Sequence, residues 1–185
     1  GIVGSIATLM FMPILGISQG AQPIIGFNYG AQQFNRVKET LKKAVIVGTI
    51  IAVVSTAVVH LWSTQIADIF NNNNIELTRL TAHAMSVYFF MFPVAGFQIV
   101  CSQYFQAIGK PIQSTILGLS RQLLLLIPLL LILPRFWGTE GVWRTPPIAD
   151  ILSALITAIV IFLEVKYINE NDMSQNVNLK RVNSQ

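Results

Sequence analysis

Gln19, Gln22 and Asn28 lie in an apolar stretch punctuated by Pro13, Gly16, Gly20, Pro23, Gly26 and Gly30. Met91, Phe97, Gln98 and Gln103 lie in a second apolar stretch around Pro93, and Arg121 lies in a third. Primary amides in an apolar run offer hydrogen bonds without net charge, while Met and Phe present soft, polarizable surface. That chemistry is recognition. Aromatic and Met surfaces suit promiscuous binding of flat or greasy ligands, and they also fill ordinary cores. No nucleophile–base pair, glycine-rich phosphate loop or Cys/His cluster accompanies these residues, so no enzyme, metal site or cofactor is expected. Cys101 is the single cysteine and reads as a small buried apolar side chain.

The elements that carry these residues are set by charge. Only 11% of the 185 residues are charged and 53% are hydrophobic, with a mean hydropathy of +0.60. Soluble domains are about a quarter charged. Residues 44–62 and 82–108 contain no Asp, Glu, Lys or Arg. About 20 apolar residues in a helix cross a hydrocarbon core of roughly 30 Å. The pattern predicts an all-α polytopic integral membrane protein with five transmembrane helices, at about 1–29, 44–62, 82–108, 111–133 and 146–165. In the last, Thr145 is positioned as an N-cap, Pro146 as the first helical residue and Asp150 near the positive end of the dipole. Residues 1–166 form the transmembrane part and 167–185 a polar, disordered tail. Between the second and third spans, Ile66, Ile69 and Phe70 suggest a short interfacial helix ending at 71–74.

The net charge of +4 sits at span ends, where it meets lipid headgroups, and nucleic acid is not an expected partner. Arg36, Lys38, Lys42, Lys43, Lys110, Arg121, Lys166, Lys180 and Arg181 fall on one side of the predicted topology. Arg79, Arg135 and Arg144 fall on the other. The basic side is cytoplasmic by the positive-inside rule, which places the C-terminus in the cytoplasm. The chain opens at Gly1 inside apolar sequence and reads as a fragment of a longer protein.

The first span's glycines and prolines suggest a bent helix with hinges at Pro13, Gly16 and Pro23 and a polar edge toward a cavity. Close packing of helices through small residues is the alternative. Pro93 bends the third span. Arg121 either faces a functional interior or snorkels to lipid phosphate. Asp68, Glu76, Glu140, Asp150 and Glu164 all fall at span ends or in loops, so if the chain belongs to a coupled transporter, the membrane-buried carboxylate is expected outside it.

The stretch PILGISQGAQPIIGFNYGA at 13–31 resembles the multidrug and toxic compound extrusion (MATE) family. So do FQAIGKP at 105–111, RQLLLLIP at 121–128, GTEGVW at 138–143 and PPIAD at 146–150. The resemblance implies a twelve-helix transporter of two six-helix lobes around a central cavity, with this chain supplying spans eight to twelve. It implies secondary active efflux of hydrophobic cationic drugs by rocker-switch antiport at the plasma membrane. The implied partners are the drug, a coupling cation, membrane lipid and the N-terminal lobe. Some sodium-coupled members carry an acid on the span matching 82–108; the comparable stretch around Ala95 and Gly96 has none, which favours H⁺ over Na⁺. Two other readings remain at this point, a lipid-linked oligosaccharide flippase of related architecture and a non-transporting membrane scaffold.

Overall fold

The computed structural model of the chain describes the backbone of residues 2–71 and 75–182 and the side chains of residues 3–70 and 75–170. Among the described residues every regular element is helical: α1 (Ile2–Gly30), α2 (Phe34–Asn71), α3 (Ile75–Tyr88), a 3-10 turn at Phe89–Met91, α4 (Phe92–Ala107), α5 (Pro111–Leu119), a π-helical segment at Ser120–Leu126, and α6 (Ile127–Val182). In lipid the backbone must satisfy its own hydrogen bonds, and helices do so within one segment. The outer surface is apolar, with Phe27, Ile112, Leu124 and Phe136 each more than two-thirds exposed. Such a surface suits hydrocarbon. The chain is a multi-pass helical membrane protein.

The ends of the elements follow from a few residues. α4 closes in a Schellman turn: Lys110 N–H donates to Phe105 O at 2.9 Å and Gly109 N–H to Gln106 O at 3.3 Å. Gly109 adopts the φ of +75° that this turn requires, and Pro111 opens α5 immediately afterwards. α1 closes the same way, with Gln33 N–H on Asn28 O at 2.8 Å and Gln32 N–H on Tyr29 O at 3.0 Å. Here the left-handed residue is Gln32, with φ 59°.

Four continuous runs, 3–30, 34–70, 75–107 and 111–170, are long and apolar enough to cross a membrane, against the five separate helices expected. The difference lies in the last run. Its 60 residues are interrupted at Gly138, where φ 55° and ψ −136° belong to glycine alone, and the chain folds back. Arg121 then meets Asp150 and Lys110 meets Glu164. The expected fourth and fifth spans are thus the two arms of one hairpin. Gly141 closes it: a Cβ there would stand 2.6 Å from the Leu133 carbonyl.

The second arm reaches back past Pro146, so Thr145 is not an N-cap. Its hydroxyl donates to Gly141 O, one turn earlier, at 2.7 Å. Asp150 accordingly lies well inside the arm and is 4% exposed, not at a helix end as expected. α2 runs on past a break at Trp62 (φ −119°, ψ 21°), so Ile66, Ile69 and Phe70 are helical. Residues 72–74, where the sequence predicts that short helix to end, lie outside the described residues. The expected boundary between 166 and 167 falls within α6, where Ile168 is buried and Asn169 accepts from Lys38 at 2.8 Å. The side chains of Lys180 and Arg181 lie outside the described residues.

α4 is the central rod. α1 runs parallel to it, as the paired contacts Phe11 with Phe92 and Gly26 with Ala107 require. α2 runs antiparallel, with Gly48 against Val100 and Thr56 Oγ1 donating to Phe89 O at 3.4 Å. α5 is antiparallel to α4 and the second arm of α6 parallel to it. Ile14, Ala52, Met85, Phe89, Tyr104, Phe105 and Leu117 fill the space between rods.

Candidate functional site

α1 and α4 bring their amides into one row. Gln22 Nε2 donates to Gln103 Oε1, and also to Gln106 Oε1 at 3.1 Å. This contact exists because α1 and α4 lie close and parallel: Gly26 is small enough for Ala107 O to approach to 3.0 Å of where a Cβ would stand. One turn or so away, Gln98 is buried and fully engaged. Its Nε2 donates to Leu117 O at 3.3 Å, and its Oε1 accepts from Ser153 Oγ at 2.9 Å. Ser102 Oγ bonds Ser114 O at 3.2 Å, fastening α4 to α5.

A cavity of about 220 Å³ opens beside this row, lined by Leu15 of α1, Gln98, Ser102 and Gln103 of α4, and Arg121 and Gln122 of the π-helical segment. The π-helix has an identifiable cause. Pro128 has no N–H to give Leu124 O, and the ladder just upstream slips, so that Ile127 N–H bonds Gln122 O five residues back. Arg121, at the start of that segment, faces inward. Its Nε donates to Asp150 Oδ1 at 2.6 Å, and its guanidinium stands 5.8 Å from the Phe11 ring centroid. The Arg121 side chain is 25% exposed and that of Asp150 only 6%. Two opposite charges at low dielectric hold one another firmly, so this arginine is a fixed dipole beside the cavity.

The structure thus gathers Gln22, Gln98, Gln103 and Arg121. Gln19 lies near them on α1 but on the exposed side, beside Gly16, Gly20 and Pro23. Asn28 is turned to local use: its Nδ2 donates to Ile24 O at 2.7 Å at the end of α1. Phe97 lines a separate groove with Cys101 and α2 residues. Met91 sits in the 3-10 turn at the junction of α3 and α4. Pro13, Gly16 and Pro23 are inside a continuous α1 and exposed, while Pro93 occupies the first turn of α4, directly after that junction. Sequence reading does not assign Gln106, Gln122, Asp150 or Ser153 to the site. Gln106 is accessible to it, one turn beyond Gln103 on the same helix face. The others become visible only once the hairpin register is known.

Known proteins share the sequence family and the fold. The MatE family model matches residues 1–132. The multidrug export protein MepA of Staphylococcus haemolyticus (strain JCSC1435) is 24% identical over 149 residues, covering 80% of this chain and 32% of the relative. MepA of Staphylococcus aureus (strain MSSA476) is also 24% identical, over 150 residues. The chain spans about a third of the length of these curated relatives. Among solved structures, the MATE multidrug transporter DinF-BH, solved in complex with a ligand, is 39% identical with a TM-score of 0.80, over 85% of this chain and 35% of that one. An inward-facing multidrug resistance MATE family transporter of the MOP superfamily, at 20% identity and a TM-score of 0.85 over 91% of this chain and 39% of that one, shares the fold. With its helical membrane architecture, its α1–α4 amide row and a family match across all of α1 to α5, the chain belongs to the MatE family.

Proposed function

We propose that this chain forms most of one lobe of a secondary active exporter of bulky cationic amphiphiles. The observation that carries the reading is the amide row of Gln22, Gln103 and Gln106 beside a polar-edged cavity. Uncharged hydrogen-bonding groups beside the apolar Leu15 and Ile99 tolerate many ligands of one charge type. The names of the MepA relatives and of the multidrug transporter DinF-BH support the same direction.

In this reading Gln19, Gln22 and Gln103 present the ligand-facing amides of the cavity wall, and Gln98 holds that wall in place from behind. Met91 supplies apolar surface near Pro93, and Pro13, Gly16 and Pro23 let α1 flex as the lobes rock. Export is driven by a cation gradient, with H⁺ as the coupling ion. The protein resides in the plasma membrane with residues 36–43, Lys110 and the C-terminal end of α6 toward the cytoplasm. An oligosaccharide flippase would want free basic groups for pyrophosphate; Arg121 is already held by Asp150.

The test is ethidium efflux from cells lacking other exporters that express the complete transporter. Q22L/Q103L is expected to abolish efflux at unchanged membrane abundance. Undiminished efflux in that variant would refute the assignment.

A further inference from the structure

On the side of α4 away from the amide row lies a groove of about 330 Å³ between α2, α4 and α6. Leu41 and Val45 form one wall, Phe97 and Cys101 the floor, and Ile161 and Val165 the other wall. Lys38 and Lys42 line it at the basic end of the bundle. Its volume falls within the range of small-molecule sites, roughly 300–1,000 Å³. Its body is hydrocarbon throughout.

The charges at that end are not equivalent. Lys43 is neutralised by Glu39 at 2.7 Å, and Lys110 by Glu164 at 2.6 Å. Lys42 has no ion-pair partner among the described residues. Lys38 Nζ gives one hydrogen bond, to Asn169 Oδ1 at 2.8 Å, which leaves two of its three N–H donors. Among the described residues the groove therefore ends in two ammonium groups without an ion-pair partner, at a helix end where the bilayer's headgroups lie. Arg36 and Lys166 stand exposed at the same end, and Tyr167, half-exposed and 5.3 Å from Lys110 Nζ, marks an interfacial level.

An occupant must be apolar along its length and anionic at its head. We infer that this groove binds one anionic phospholipid, such as phosphatidylglycerol. An acyl chain lies between α2 and α6 against Phe97, and the phosphate is held by Lys38 and Lys42. Basic pockets between membrane helices bind anionic headgroups by this same combination. The lysines disfavour a cationic amphiphile here, so the groove is separate from the drug route. A lipid seated there ties α2 to the second arm of α6.

The test uses the complete transporter purified in nanodiscs. Photoactivatable phosphatidylglycerol is expected to crosslink to peptides carrying Val45, Phe97 or Ile161. Crosslinks confined to other lipid-facing positions such as Leu124, Leu131 and Phe136 would overturn the proposal. Native mass spectrometry then compares retained phosphatidylglycerol with phosphatidylcholine. Each lysine near the surface is worth roughly fivefold in binding, so K38Q/K42Q is expected to cut the preference roughly thirtyfold. K43Q, whose amine is already taken by Glu39, leaves it unchanged. Equal losses in K43Q and K38Q/K42Q, or no loss in the latter, would contradict the assignment.

Discussion

Gln22 of α1 donates a side-chain hydrogen bond to Gln103 of α4, a residue 81 positions further along the chain. The two helices run parallel, so this bond fixes their relative height as well as their separation. Interhelical polar bonds in membranes average about 0.6 kcal/mol and reach about 1.7. A double-mutant cycle with Q22L and Q103L is expected to give a coupling energy of about 1 kcal/mol in detergent unfolding. Additive single effects would show that the amides do not meet.

The Arg121–Asp150 pair is a stronger test of the hairpin. Removing one member of a buried pair leaves an uncompensated charge and costs about 3–5 kcal/mol. D150N and R121Q should each lower thermal stability sharply. R121M/D150L, which removes both charges, should recover most of the loss. A double variant less stable than either single one would contradict the pairing.

Glycine substitutions should rank by what a methyl group would strike. At Gly141 it meets the Leu133 backbone at 2.6 Å, which cannot yield cheaply. At Gly26 it meets Ala107 O at 3.0 Å, and at Gly30 it meets nothing within 4 Å. Thermal unfolding is expected to order the variants G141A, then G26A, then G30A, from most to least damaging. G109A meets no atom but forces a side chain into φ +75°, for a cost of about 1–2 kcal/mol.

Gln98 is predicted to act by positioning rather than by touching ligand. Both ends of its amide are occupied, by Leu117 O and Ser153 Oγ, and the residue is 3% exposed. Q98L should destabilise the lobe, and Q98E should do so more. Q103L should weaken drug binding with a smaller effect on stability. Binding of ethidium to the purified transporter, measured beside its melting temperature, separates the two outcomes.

Much of this architecture is legible in the residues themselves. Charge-free runs at 44–62 and 82–108 mark membrane helices because charge is what hydrocarbon excludes most strongly. Gly109 followed by Pro111 marks the α4–α5 corner because one supplies the left-handed turn and the other cannot continue the helix. The polar character of α1 and α4 is equally open to reading, and Gln22 and Gln103 do meet.

What stays hidden depends on register between distant segments. Pro146 looks like a first-turn residue, which would set Asp150 at a helix end. Only the fold-back at Gly138 shows that the helix begins earlier and that Asp150 is buried against Arg121. Phe97 and Gln98 are chain neighbours, yet one side of α4 faces α2 and the other faces α5. Composition cannot say which. The slip to π-helix ahead of Pro128 shifts every later side chain around the helix, and no residue pattern announces how far.

The central claim is that the α1–α4 edge borders a water-accessible route for cationic amphiphiles. Cys101 is buried, 1% exposed, so residues 1–185 add no accessible thiol of their own once cysteines elsewhere in the transporter are replaced by serine. The decisive measurement is the rate at which Q103C in the intact transporter reacts with a membrane-impermeant thiol reagent, with and without ethidium. Q103C is expected to react readily, and ethidium to suppress the reaction as it saturates. Failure of Q103C to react, or labelling indifferent to ethidium, would contradict it.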